Sequence, residues 1–237
     1  MERTELSYPE AGTPQGGVIS PLLANIYLHE VLDVWFERDV RPRLKGRAFI
    51  VRYADDAVLG FEHEADARRV LEVLPKRFER FALTLHPDKT RLVRFRRALW
   101  PGDPPPGSFD FLGFTNYLGK ARKGYPIIKR KTASSRFTRA LKRIAEFCRT
   151  NRHEPLKEQH AGLSRKLQVH YGYFGITGNS EALARLLNEA TRIWFKWVRR
   201  RGQQRPMNWD RFNRLLQRFP LPPAIAVHSC LRHAAKA

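Results

Sequence analysis

The stretch Phe49-Ile50-Val51-Arg52-Tyr53-Ala54-Asp55-Asp56-Ala57-Val58-Leu59-Gly60-Phe61 constrains this chain more than any other. Two short β-prone runs flank a polar Tyr-Ala-Asp-Asp centre, the pattern of a β-hairpin with a functional turn. The carboxylates of Asp55 and Asp56 then sit at the hairpin tip. Two unit charges about 4 Å apart repel by about 4 kcal/mol at an effective dielectric of about 20, so such a pair asks for a neutralising cation. Oxygen-only ligands favour Mg²⁺ or Mn²⁺, and two such ions can clamp the attacking and leaving oxygens of a phosphoryl transfer. An Asp-Asp pair is also ordinary turn chemistry, so the segment alone leaves both readings open.

Charge supplies a second constraint. Residues 1–119 hold 17 Lys and Arg against 17 Asp and Glu, whereas residues 120–237 hold 27 against 6, so the whole net charge of +21 lies in the second half. Solvated surface helices mix signs, and an imbalance of this size points to a polyanion, with nucleic acid favoured over an anionic membrane because no lipid-anchor signal is present. No apolar run reaches the roughly 18 residues of a membrane span, and no signal peptide is evident, so a cytoplasmic location is expected. Cys148 and Cys230 form no Cys-x-x-Cys pair and read as ordinary thiols. With 237 residues, 42% of them apolar, the chain can bury a core in one or two domains.

Along the chain, Pro14-Gln15-Gly16-Gly17, within the stretch Gly12–Asn25, reads as a turn whose glycines permit close approach to a ligand. Ser20-Pro21 offers an N-cap with Pro at the first helical position, and Leu22, Leu23, Ile26, Tyr27, Val31, Leu32, Trp35 and Phe36 repeat at helical spacing. After the hairpin, residues 65–81 read as an amphipathic helix interrupted or kinked near Pro75. Leu83-Thr84-Leu85 and residues 91–95 read as short strands on either side of His86-Pro87-Asp88-Lys89-Thr90. Ser108-Phe109-Asp110-Phe111-Leu112-Gly113-Phe114 alternates and then turns. Between Lys120 and Arg143 there are ten cations and no acid. Three amphipathic helices follow, around residues 137–147, 156–174 and from the cap Ser180-Glu181 to a stop after Arg199-Arg200-Arg201-Gly202, with a short fourth capped by Asn208. Short connections between them imply an α-bundle.

Taken together and in this order, the glycine turn, Tyr53-Ala54-Asp55-Asp56, His86–Thr90 and Phe109–Phe114 resemble the palm motifs of reverse transcriptases, specifically those encoded by bacterial group II introns. The second half resembles the maturase thumb of the same family. The resemblance implies an α+β fold: a partial polymerase palm, an antiparallel sheet with packed helices, over residues 1–119, followed by a basic α-helical thumb or maturase RNA-binding bundle over residues 120–237. It implies RNA-directed DNA polymerisation with splicing assistance. Asp55 and Asp56 are then the catalytic metal ligands for Mg²⁺, with Mn²⁺ as an alternative. Gln15, Gly16, Tyr53, Ala54 and Lys89 face substrate, and Phe111, Leu112 and Gly113 form a primer grip. Lys129, Arg130, Lys131, Arg136, Arg139, Lys142, Arg143, Arg199 and Arg200 contact RNA. Implied partners are group II intron RNA, a DNA primer or target and deoxynucleoside triphosphates.

The same resemblance implies a third carboxylate from an upstream strand, together with fingers. Residues 1–11 hold only Glu2, Glu5 and Glu10 as acids, none in a strand pattern, so a missing N-terminal palm and fingers segment is a further expected partner. A non-catalytic RNA-binding splicing cofactor and an inactive truncated fragment remain alternatives. Tyr171, Tyr173 and Trp194 can stack on unpaired bases, but their spacing favours core packing.

Overall fold

The computed structural model describes residues 19–96, 102–121, 123–201 and 207–228. The glycine turn, with Gln15 and Gly16, lies outside them, as does Cys230. Two compact units emerge, Met1–Arg94 and Phe95–Ala237.

In the first unit, helix α1 (Ser20–Leu28) carries Pro in its first turn, but Ile19 holds the cap position and no side chain caps the helix. The helical path continues through π-type turns at His29–Val34 and Phe36–Val40 and a 3₁₀ turn at Arg41–Arg43. The periodic apolar run divides along this path. Val31, Leu32, Trp35 and Phe36 are buried, whereas Leu22, Leu23, Ile26 and Tyr27 are exposed.

Strands β1 (Ala48–Tyr53) and β2 (Asp56–Phe61) pair antiparallel from Ala48↔Phe61 to Tyr53↔Asp56, the hairpin that the sequence pattern calls for. Helix α2 (Glu64–Glu79) runs through Pro75 without a break and buries Val70, Leu74 and Phe78 against the same core as Val31, Phe36 and Ala48. Each such apolar side chain stabilises by about 1.5–3 kcal/mol when fully buried. The strands expected at 83–85 and 91–95 join no ladder. Leu83 and Leu85 instead pack on the core, because a β-prone sequence yields a strand only where a free edge is offered to it.

The second unit opens with β3 (Ser108–Phe111), β4 (Phe114–Lys120) and β5 (Pro126–Thr132), a three-stranded antiparallel sheet in that order. Helices α3 (Ser134–Thr150), α4 (Leu156–Phe174), α5 (Ser180–Arg199) and α6 (Trp209–Arg218) follow. The step in charge at residues 119 and 120 falls at the end of β4, whose last residues pair with β5, so the compact units divide earlier, between Arg94 and Phe95. Charge composition records what a surface faces, whereas ladder pairing records what folds together.

Leu163, Leu167, Leu183, Leu186, Trp194 and Phe212 are fully enclosed in the helical core. The buried indole of Trp194 donates to Gln159 Oε1 at 3.1 Å, which removes the cost of an orphaned N–H. Asn208 caps α6 as its position implied, its Oδ1 accepting from Arg211 N at 3.0 Å. Two small antiparallel sheets and six α-helices among the described residues make the chain α+β. No described helix is long and apolar enough to cross a membrane.

Candidate active site and nucleic-acid interface

Tyr53 and Asp56 close the β1–β2 ladder, so Ala54 and Asp55 form a two-residue turn. Ala54 has φ 53°, in the left-handed region that costs a non-glycine residue about 1–2 kcal/mol. Strain of this kind persists only where surrounding structure imposes it. Here the imposing group is Arg52. Its Nη1 donates to the Ala54 carbonyl at 2.9 Å and to Asn25 Oδ1 at 2.9 Å. Its Nε and Nη2 reach the Asp33 carboxylate at 2.8 and 2.7 Å. The turn is thereby tied to the helical segment in front of it.

This arrangement also fixes the electrostatics. The hydrogen bond from Arg52 holds the Asp33 carboxyl below the usual carboxylate range, and the partnership raises Arg52 in turn. The guanidinium closest in sequence to the Asp pair is therefore engaged elsewhere. Asp55 and Asp56 are both exposed, with no ion pair or side-chain hydrogen bond among the described residues. Neighbouring carboxylates are hard oxygen donors of the kind Mg²⁺ takes. Among the described residues no three His, Cys, Asp or Glu side chains gather as a metal-binding group. The pair thus suits a divalent cation in donor type and supplies only part of a coordination sphere.

Tyr53 stands exposed beside the pair. Lys89 lies in the same unit, exposed in a turn where Lys89 N and Thr90 N both donate to the His86 carbonyl. Phe111, Leu112 and Gly113 belong to the second unit and form the β3–β4 turn. Both turn residues have positive φ, 50° for Leu112 and 78° for Gly113, the pattern of a type I′ turn, whereas in the β1–β2 turn only Ala54 does. Tyr173, expected in the core, is 56% exposed; it stacks on Phe114 at 5.9 Å and donates to the Leu112 carbonyl at 2.9 Å. Tyr171 and Trp194 are buried, as their spacing implied.

The cations of the second half form a continuous sequence over β5 and α3. Arg130, Lys131, Arg136, Arg139, Lys142 and Arg143 are exposed, none ion-paired among the described residues, and Lys129 is half-buried against Gly119. The joint between β5 and α3 is fixed by Asn179, which is 1% exposed. Its Oδ1 accepts from Thr132 N at 2.9 Å, and its Nδ2 donates to Thr132 Oγ1 and the Phe174 carbonyl, each at 2.8 Å. Arg199 and Arg200 end α5, apart in sequence from this run.

Sequence reading missed Arg52, Asp33, Asn25 and Asn179. Only Arg52 left a trace, an inward position alternating with Ala48 and Ile50 in β1, where a charge needs a partner. Cys148 is the buried thiol expected, pushed up to about 12 by burial.

Residues 1–116 match the model of the family described as reverse transcriptase (RNA-dependent DNA polymerase). This segment is similar to the reverse transcriptase family. The reverse transcriptase match takes in the glycine turn, the carboxylate hairpin, the His86–Thr90 turn and β3, and it ends within β4. The group II intron-encoded protein LtrA of Lactococcus lactis subsp. cremoris, and the protein of the same name from strain MG1363, are each 36% identical to this chain over 87 residues. Those alignments cover 32% of this chain and 14% of the length of either relative.

Proposed function

We propose that this chain takes part in RNA-directed DNA synthesis and in binding group II intron RNA to aid splicing. The observation that carries the reading is the tethered, charge-uncompensated carboxylate turn within the segment that matches the reverse transcriptase model. In this reading Asp55 and Asp56 bind Mg²⁺ or Mn²⁺ together with donors from outside the pair. A bound divalent ion would stabilise charge on the transferring phosphoryl group. Arg52 keeps the carboxylates at a fixed height above the sheet, and Tyr53 and Ala54 border the primer end. Gln15, Gly16 and Lys89 face the incoming nucleotide, and Phe111–Gly113 guide the primer.

Lys129–Lys131, Arg136, Arg139, Lys142, Arg143, Arg199 and Arg200 neutralise RNA phosphates in the same reading, each lost contact flattening the salt slope by roughly one unit or slightly less. A second reading, a non-catalytic RNA-binding splicing cofactor, draws on the 27-to-6 charge imbalance and on the incomplete ligand set among the described residues.

Primer extension on an RNA template with Mg²⁺, by the chain alone and supplemented with an upstream palm segment of the family, tests the first reading. Extension in either format that Asp55→Asn abolishes, with RNA affinity kept, supports it. No extension in both, with tight salt-sensitive binding to structured RNA, favours the second.

A further inference from the structure

The end of α5 and the start of α6 place an exposed aromatic stack beside unbalanced cations. The rings of Phe195 and Trp209 stack, with centroids 4.0 Å apart and planes 20° from parallel. Phe212 closes on both edge-on, at 5.2 Å from Phe195 and 5.8 Å from Trp209. Trp209 nevertheless remains 46% exposed. A tryptophan that serves only to seal two helices buries most of its ring, and this one is backed by aromatics while much of its surface faces water.

Next to the stack lies an open cleft of about 380 Å³ lined by Phe195, Lys196, Arg199 and Arg200. Small-molecule sites begin at about 300 Å³, so the volume suits a nucleotide. Three of its four lining residues are cations and none is an acid. Lys196 and Arg200 also lie over the Trp197 ring, at 5.9 and 5.0 Å, which restricts where their heads can swing. The C-terminal end of a helix is itself mildly unfavourable to anions. Any phosphate here is therefore held by these side chains and not by backbone dipoles.

We propose that this corner is a site for one unpaired RNA nucleotide, its base stacking on the free surface of Trp209 and its flanking phosphates held by Lys196, Arg199 and Arg200. Aromatic stacking tolerates any base, because every base presents a π-face, so the site selects strand state over sequence. The inference rests on the reading of the second unit as RNA-binding and sharpens it. The basic face would recognise phosphate density, whereas this corner would recognise a looped-out or bulged nucleotide.

The test uses the full chain and three hairpin RNAs: one fully paired, one with a single bulged 2-aminopurine, and one with an abasic residue at the bulge. The expected result is quenching of 2-aminopurine on binding, with affinity for the bulged RNA on the order of tenfold above that for the abasic one. Trp209→Leu, which keeps an apolar contact to Phe195 and Phe212, should abolish both the quenching and the preference. Trp209→Phe should restore part of each, and melting curves check that both variants fold. If all RNAs bind alike and Trp209→Leu changes nothing, the nucleotide site is refuted while the RNA-binding reading stands. If no RNA binds at all, that broader reading fails and the site falls with it.

Discussion

The β1–β2 and β3–β4 hairpins share one strained backbone position and use it for different ends. Each turns in two residues, and the first of the two is a non-glycine in the left-handed region, Ala54 at φ 53° and Leu112 at φ 50°. In each, the carbonyl of that residue accepts a hydrogen bond at 2.9 Å from a side chain elsewhere in its unit, Arg52 in one and Tyr173 in the other. The second turn leads into aromatic packing, with Phe114 against Tyr173 and Phe174, and so anchors a sheet to a helix. The first leads into Asp55 and Asp56, whose exposed side chains form no ion pair or hydrogen bond among the described residues. A strained turn can serve as a joint or as a pedestal, and the difference lies in whether its neighbours are apolar or charged.

The largest expected effect breaks the pedestal's function without touching its structure. Asp55→Asn should lower any template-directed synthesis by at least about 100-fold, since it removes a ligand from a geometry that tolerates little displacement. Urea unfolding of the same variant should be unchanged. Next comes the clamp. Arg52→Ala removes a partner of Asp33 from a pair whose side chains are only 12% and 23% exposed, and should cost about 3 kcal/mol by chemical denaturation. A Leu112-side counterpart should be milder. Tyr173→Phe deletes one hydroxyl and keeps the ring stack, so a loss of about 1 kcal/mol is expected.

Acid should separate the two units. Burial drives His170 down to about 4 from an ordinary 6.5, with its ring stacked 4.5 Å from that of Phe174. The unfolded chain takes up the proton first, so second-unit stability should fall as pH drops from about 6.5 to about 4 and then level off. His170→Phe should flatten that slope in a series of urea titrations. In the first unit, Asp33 is depressed in the fold, so its contribution persists above the ordinary carboxylate value and is lost only as pH falls below it. The smallest effect is Ala54→Gly. Relief of left-handed strain set against glycine's extra chain entropy should leave a gain of about 0.5 kcal/mol, read as a shift in melting temperature.

These contrasts mark what the sequence could reveal. The Tyr-Ala-Asp-Asp hairpin was legible because period-two alternation and turn chemistry are local, and the helices of the second unit were legible because their apolar faces repeat. The exposure of Leu22 and Ile26 was not, since periodicity names a face without saying whether anything covers it. Nor was the pairing of Arg52 with Asp33, 19 residues apart, which depends on how α1 and its π-type continuation pack against β1. The boundary between units escaped for a related reason: composition changes at the end of β4, but hydrogen bonds run across that change. Tyr173 kept a helical spacing that suggests the core, and its hydroxyl was drawn outward by an acceptor on a distant turn.

Asp66, 2% exposed in the first turn of α2, accepts from Lys45 N at 2.9 Å and Gly46 N at 3.1 Å, just before β1 begins. Six residues later, Arg52 grips the opposite end of the same strand. A strand fastened at both ends behaves as a ruler: its length, at about 3.3 Å per residue, sets how far the carboxylates stand from the helix that holds its base. Inserting or deleting one residue between Ala48 and Arg52 would therefore do more than shift the pair along the axis. It would slip the β1–β2 register and reverse the face taken by each later β1 residue, Arg52 included, so the reach of the turn and the grip that holds it are a single calibrated quantity.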